Sequence, residues 1–120
     1  MIHTPEEHEK VWGKEKWIVN HGKYCGKILC LDEGYRCSYH HHKIKDETFH
    51  ILKGNVHMKI EGTDFYLSVG DTVHIKPGVK HSFTGLEDSE ILEISTQHFE
   101  DDSYREDESC KVWDKETNEC

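Results

Sequence analysis

The sequence predicts an all-β domain whose strands close into a barrel or jelly roll. Nine glycines and only two prolines separate short runs that are rich in Val, Ile, Tyr, Phe and Thr, which is the pattern of a β-meander. The connections between these runs are short, so neighbouring strands are expected to pair in antiparallel fashion. Eight or nine short strands protect their edges most readily by closing on themselves.

The candidate strands follow one another along most of the chain. In the run from Val56 to Ile60, positions 56, 58 and 60 are apolar and positions 57 and 59 are polar, which is the period of a half-buried strand. The segments 53–55, 61–64 and 70–71 contain the residues that tight turns prefer. The predicted strands are Trp17–Val19, Tyr24–Leu31, Cys37–His42, Thr48–Leu52, Val56–Glu61, Phe65–Val69, Thr72–Ile75, His81–Thr84 and Ile91–Thr96.

Composition limits the class of protein and its partners. With 120 residues the chain is expected to form a single domain, 1–120. The net charge of −9 and the scattered basic residues exclude nucleic acid as a partner. No apolar run approaches the roughly 18 residues that cross a bilayer, and the N-terminal residues lack the apolar stretch of a signal peptide. We therefore expect a cytoplasmic protein that does not contact membranes.

The C-terminal part of the chain, from about residue 99 to 120, is strongly acidic. A charge run of this kind is usually solvated, so we interpret 99–120 as a solvated extension. The five cysteines are an odd number and form no CxxC pair, which indicates reduced thiols. A disulfide between Cys110 and Cys120, across this extension, is the alternative.

Eleven histidines, three of them consecutive, make metal binding the first chemistry to test. His40 and His42 are two residues apart on a predicted strand and therefore point to the same face, whereas His41 points away. Glu47, from the next strand, and His81, from a distant one, are the third and fourth candidate ligands. Four such side chains can surround a metal ion inside a barrel.

Two segments resemble the two motifs of the cupin family, G(X)5HXH(X)3-4E(X)6G and G(X)5PXG(X)2H(X)3N. Residues 34–54 match the first motif completely, and residues 70–85 match the second except that Lys76 replaces its proline and Gly85 replaces its final asparagine. The resemblance implies a double-stranded β-helix, also called a conical jelly-roll barrel. It also implies one divalent metal ion per chain, held by His40, His42, Glu47 and His81. Such ligands accept Zn, Mn, Fe, Co or Ni.

Residues around these motifs are similar to those of cupin-type sugar isomerases, namely D-lyxose/D-mannose isomerases and type II phosphomannose isomerases. Lys45 lies between His42 and Glu47, so the segment reads HxHxxKxE, and Glu93 lies in a late strand before an acidic segment that contains arginine. The runs WGKEKW at 12–17 and YHHH at 39–42 are also similar to the isomerase sequences.

This similarity implies a metal-dependent aldose–ketose isomerase that acts on a monosaccharide or sugar phosphate through an enediol. Glu93 would be the catalytic base, because a carboxylate in an apolar strand is costly unless it is partnered or functional. Lys45 would donate to, or electrostatically stabilise, the enediolate oxygen. We further expect a homodimer, since aromatic residues near the N-terminus can anchor a contact and two-fold pairing is the commonest assembly.

Two other function classes remain open at the level of sequence, because cupin folds host many activities. One is a non-catalytic cupin that binds a carbohydrate or a metal. The other is an iron-dependent dioxygenase or lyase, with Tyr35, Tyr39 or Tyr66 as a possible base. The remaining histidines, including His98, are interpreted as surface or structural residues, and His74 is interpreted in the same way although a cavity wall could use it.

Overall fold

The structure, a computed structural model, describes residues 1–113, which form thirteen β-strands. The strands are β1 (Glu6–Lys10), β2 (Gly13–Asn20), β3 (Cys25–Leu31), β4 (Tyr35–Arg36), β5 (His40–His41), β6 (Glu47–Lys53), β7 (Asn55–Ile60), β8 (Thr63–Ser68), β9 (Thr72–Ile75), β10 (His81–Gly85), β11 (Ser89–Ser95), β12 (Tyr104–Arg105) and β13 (Cys110–Lys111).

The strands form two sheets. The first sheet has six strands in the order β1-β2-β3-β11-β6-β9. In the second, β10 pairs with β7, β5 and β4, and these continue to β8, β12 and β13. Every strand pair is antiparallel, so the predicted all-β class and pairing are confirmed and the architecture is a double-stranded β-helix.

Alternation of side chains directs one face of each long strand inward. In β3 every second residue, from Cys25 to Leu31, is buried. In β7 Val56 and Met58 are fully buried, as their spacing predicts. The two sheets enclose one apolar core, formed by Trp12, Leu29, Leu31, Cys37, Phe49, Ile51, Val56, Met58, Ile75, Phe83 and Ile91. Among the described residues, no helix is long and apolar enough to cross a membrane.

The observed strands depart from the predicted ones near the N-terminus and around the histidines. Strand β1 was not predicted, because its sequence EEHEK shows no apolar alternation, yet it pairs with β2 through five residue pairs. Of the predicted strand Cys37–His42 only β5 is a strand, and β4 precedes the predicted range; the two short strands pair with different parts of β10.

Most residues of the described part of 99–120 are exposed, as the interpretation as a solvated extension expects, but the segment is not separate from the sheet. Strand β12 pairs with β5 and β13 pairs with β4, so this segment satisfies backbone groups at the edges of the second sheet. Asp102 is buried, and Asp107 pairs with Arg36 at 3.1 Å. Residues 114–120 lie outside the described residues. The alternative Cys110–Cys120 disulfide includes one of them, while Cys25, Cys30 and Cys37 are free.

The turn between β6 and β7 explains why the first motif ends in glycine. Gly54 joins β6 to β7 with a φ of 85°, a conformation that favours glycine. A Cβ at this position would lie 2.2 Å from Ser89 Oγ. No other residue type fits this turn without moving β11, which carries Glu93.

Candidate metal centre

Three of the predicted ligands come together at one end of the barrel. His40 lies on β5, His42 follows that strand, and His81 begins β10 directly opposite His40. The candidate ligand atoms of these three histidines all lie within 4.8 Å of one another, so the group can hold a metal ion. His41 points away and stacks on Tyr104, with ring centroids 5.1 Å apart.

Backbone carbonyls orient all three imidazole rings. The Nδ1 atoms of His40, His42 and His81 lie 2.6, 2.8 and 3.0 Å from the carbonyl oxygens of Ser38, Asp102 and Val79. A carbonyl only accepts hydrogen bonds, so each Nδ1 carries the proton and donates it. In its neutral form each ring then presents an Nε2 lone pair, which is the form that binds a metal ion.

Glu47 completes the cluster. Its Oε2 lies 3.2 Å from His81 Nε2, and its Oε1 lies 3.5 Å from His42 Nε2. Glu47 Oε2 and His81 Nε2 are both buried and make no hydrogen bond among the described residues. With Nδ1 of His81 bonded to the Val79 carbonyl, Nε2 is the ring atom that His81 directs toward Glu47. A cation between them would satisfy both atoms, so these residues fit the divalent metal that the cupin motifs imply.

The ionisation states of the cluster also suit a metal ion. Burial, reinforced by the neighbouring His81, lowers the pKa of His40 to about 3, and burial lowers the pKa of His42. Burial would raise the pKa of the Glu47 carboxyl, but its contact with His81 and the Lys45 ammonium hold it well below its usual range. Neutral imidazoles and an ionised carboxylate are the metal-binding forms, so protons compete weakly for His40, His42 and Glu47.

The two predicted catalytic residues lie beside this cluster and contact each other. Lys45 Nζ lies 2.9 Å from Glu47 Oε1, 3.2 Å from Glu93 Oε2 and 3.0 Å from His98 Nδ1. Burial disfavours the charged form of Lys45, but Glu93 and Glu47 outweigh it and raise the pKa of the ammonium. Glu93 Oε2 also accepts a hydrogen bond from Ser95 Oγ at 2.9 Å, while its Oε1 has no partner among the described residues.

A cavity of about 470 Å³ adjoins the cluster. Its inner wall carries His40, His42, Lys45, Glu47 and Glu93. Glu15, Lys27 and His98 extend this wall, and Arg105 lines the cavity from β12. The cavity lining contains none of Tyr35, Tyr39 and Tyr66, and the exposed His74 bonds Asp46 instead of facing the cavity. The structure therefore offers no tyrosine at the site for the dioxygenase or lyase alternative.

Sequence reasoning missed several residues at the site. His98, interpreted as structural, contacts Lys45, and its pKa is lowered to about 4 by burial and by the Lys45 and Lys27 charges. Asp102 holds the loop that carries Lys45, and no local pattern marks it. Lys27 could have been found, because it is a charged residue at an inward position of an apolar strand, the same signal that identified Glu93.

Comparison with known proteins agrees with this architecture. Residues 27–95 match the model of the family described as Cupin domain, so the chain belongs to the cupin family. No curated protein sequence matches it. Among solved structures, the chain is similar to KdgF from Halomonas sp., with 21% identity, a TM-score of 0.69, and coverage of 73% of this chain and 81% of that one.

Two further solved structures share the fold. An RmlC-like cupin from Shewanella frigidimarina is 17% identical, with a TM-score of 0.72 and coverage of 81% of this chain and 87% of that one. The oxalate decarboxylase of Lactobacillus farciminis, in its formate complex, is 21% identical, with a TM-score of 0.72. That similarity covers 85% of this chain but only 34% of the decarboxylase chain. At these identities the similarities establish the fold alone. The reaction has to be inferred from the residues of the site.

Proposed function

We propose that this cupin is a metal-dependent aldose–ketose isomerase of the lyxose/mannose type. The observation that carries the proposal is the buried Lys45–Glu93 pair, which lines one cavity with the candidate metal ligands His40, His42 and Glu47. Isomerisation needs one group that moves a proton between adjacent carbons and a positive environment for the oxygens. Glu93 is the group that can move the proton, and Lys45 supplies the positive charge, next to the candidate metal ligands.

Glu93 has the features of the base. One carboxylate oxygen is held by Lys45 and Ser95, which orients the group, and the other is free of hydrogen bonds among the described residues. In the proposed reaction Glu93 takes the C2 proton of the aldose while a C1–C2 double bond forms and the C1=O electron pair moves to O1, which gives an enediolate. The O2 proton then moves to O1, the C2=O bond forms, and Glu93 returns its proton to C1. No external oxidant or reductant is consumed.

Lys45 is assigned an electrostatic role. Its three N–H groups match three acceptors, Glu47, Glu93 and His98, and its raised pKa keeps it charged. A lysine engaged in this way stabilises negative charge that develops on the substrate oxygens and does not give up its proton. A divalent metal held by the three histidines and Glu47 would supply Lewis-acid polarisation of the substrate carbonyl.

The test is to remove bound metal, add Mn, Co, Ni, Zn or Fe separately, and follow a panel of aldoses and ketoses by NMR. Metal-dependent interconversion, with solvent deuterium entering at C1 or C2, is the expected result. Binding of sugars without interconversion by any loaded form would contradict the proposal and favour a non-catalytic cupin. Oxygen uptake by the iron-loaded protein would favour a dioxygenase.

A further inference from the structure

A second buried ion pair lines the cavity and has no part in the proposed proton transfer. Lys27 is only 1% exposed and lies at an inward position of β3. Its Nζ lies 3.3 Å from Glu15 Oε1 and 4.2 Å from the centre of the Trp17 ring. Burying such a pair seldom stabilises a fold more than apolar side chains of the same size would. Stability therefore does not explain why the Lys27–Glu15 pair lies in the cavity wall, whereas a role in binding would.

The pair lies next to the proposed base, on the side away from Glu47. Lys27 is directly opposite Glu93 in the β3–β11 register, and β6, which carries Glu47, pairs with the other edge of β11. Side chains directly opposite one another on one face of a sheet are neighbours. A substrate that has its reacting carbons at Glu93 and extends away from Glu47 therefore meets Lys27 and Glu15.

The Lys27–Glu15 pair has one hydrogen-bond donor and one acceptor without a partner among the described residues. Of the three N–H groups of Lys27, one is directed to Glu15 and one faces the Trp17 ring, and the third has no acceptor among the described residues. Glu15 Oε1 accepts from Lys27 and from Trp17 Nε1 at 2.8 Å, whereas Oε2 has no partner within residues 1–113. A hydroxyl group both donates and accepts, so it complements this pair.

We propose that Lys27 and Glu15 form a second sugar subsite, which binds hydroxyl groups at the far end of an uncharged monosaccharide. This rests on the proposed isomerase function and decides between its two substrate classes. A phosphate or carboxylate at this position would approach Lys27 but would also face the Glu15 carboxylate. Six carboxylates and four basic side chains line the whole cavity. A bound divalent metal ion would therefore bring the net charge of the lining to zero and no higher. The cavity therefore has no excess positive charge to attract a sugar phosphate.

The experiment compares two double variants in the metal-loaded protein. Glu15→Gln with Lys27→Met removes both charges of the subsite, keeps the side-chain sizes and leaves an acceptor for Trp17. Glu7→Gln with Lys14→Met is the matched control, because that pair has the same 3.3 Å separation but is exposed on β1 and β2, outside the cavity lining. Circular dichroism and metal content verify that both variants fold and load.

The readouts are sugar binding by NMR and, where turnover occurs, KM and kcat. We expect the subsite variant to bind the free sugar about tenfold or more weakly, the scale of one hydrogen bond to a charged group, with kcat changed much less. The control should match wild type, and wild type should prefer free sugars to their phosphates. Unchanged affinity in the subsite variant, a preference for phosphates, or no sugar binding by wild type would overturn the proposal. Binding that depends on Lys27 and Glu15 without turnover would contradict only the isomerase function.

Discussion

His42 donates its Nδ1 proton to the backbone carbonyl of Asp102, 2.8 Å away and 60 residues later in the chain. The carboxylate of the same Asp102 accepts hydrogen bonds from the backbone N–H groups of Lys43, Ile44 and Lys45 at 2.9 to 3.2 Å. One buried residue of the acidic segment therefore orients a candidate metal ligand and also holds the loop that carries Lys45.

Asp102→Ala keeps the backbone carbonyl that orients His42 but removes the carboxylate that fixes the position of residue 102, so metal binding should weaken by up to about tenfold, the lower end of the effect of losing an orienting group. Three backbone N–H groups would lose their acceptor, so the variant should also be less stable by about 1–3 kcal/mol or more. Asp102→Asn, which keeps one oxygen, should lie between Asp102→Ala and wild type. Asp101→Ala, at the exposed neighbouring residue, is the control. Metal titration and urea unfolding measure both effects, and wild-type metal affinity in Asp102→Ala would contradict the assignment.

His42→Ala should lose most of the bound metal, whereas His41→Ala should keep about one ion per chain. The reason is that His42 belongs to the histidine cluster, while His41 points away and stacks on Tyr104. Elemental analysis after dialysis gives the comparison directly. Equal loss of metal in both variants would show that the cluster is not the binding site.

Glu93→Gln and Lys45→Met should each lower kcat by roughly a hundredfold or more, the usual scale for a missing proton-transfer or charge-stabilising group. Glu90→Gln, on the same strand but at an outward position, should keep the wild-type rate. Glu93→Gln should retain its metal, because Glu93 is outside the candidate ligand set. Turnover of the sugar substrate at the wild-type rate in both catalytic variants would contradict their roles.

Cys37 should be chemically inert in the folded protein and should make folding sensitive to alkaline pH. Burial raises the pKa of its thiol from about 9 to about 12, so native Cys37 stays protonated where an unfolded thiol ionises. Its contribution to the free energy of unfolding is therefore complete below pH 9 and is lost as the pH rises towards 12. The stability difference between wild type and Cys37→Ala should shrink between pH 8 and pH 11 in urea titrations. A constant difference would contradict this prediction.

The protein should be a homodimer at micromolar concentration. Strand β1 forms one edge of the six-stranded sheet and pairs only with β2 among the described residues, so it offers backbone groups to a second copy. Light scattering should therefore give twice the chain mass of 14.1 kDa. A mass of one chain at this concentration would contradict the prediction.

The sequence by itself determined the all-β class, most strand positions and the presence of the two cupin motifs, because these depend on local patterns. Alternation in β7 predicted the burial of Val56 and Met58, and residues 34–54 and 70–85 match the cupin motifs. The same motifs explain why the predicted ligands lie together. Their spacing sets the strand parity and the return of the chain in β10, which bring together His40, His42, Glu47 and His81.

Only the tertiary structure decided which distant residues support the site. Asp102 belongs to the acidic segment, whose composition indicates solvent exposure, and His98 lies just before it. Both are held at the site by contacts with Lys43–Lys45, more than 50 residues away in sequence. The Lys27–Glu15 pair depends in the same way on the register between β2 and β3. These hydrogen bonds and ion pairs depend on which strands pair and in which register, and local residue patterns do not specify those partners.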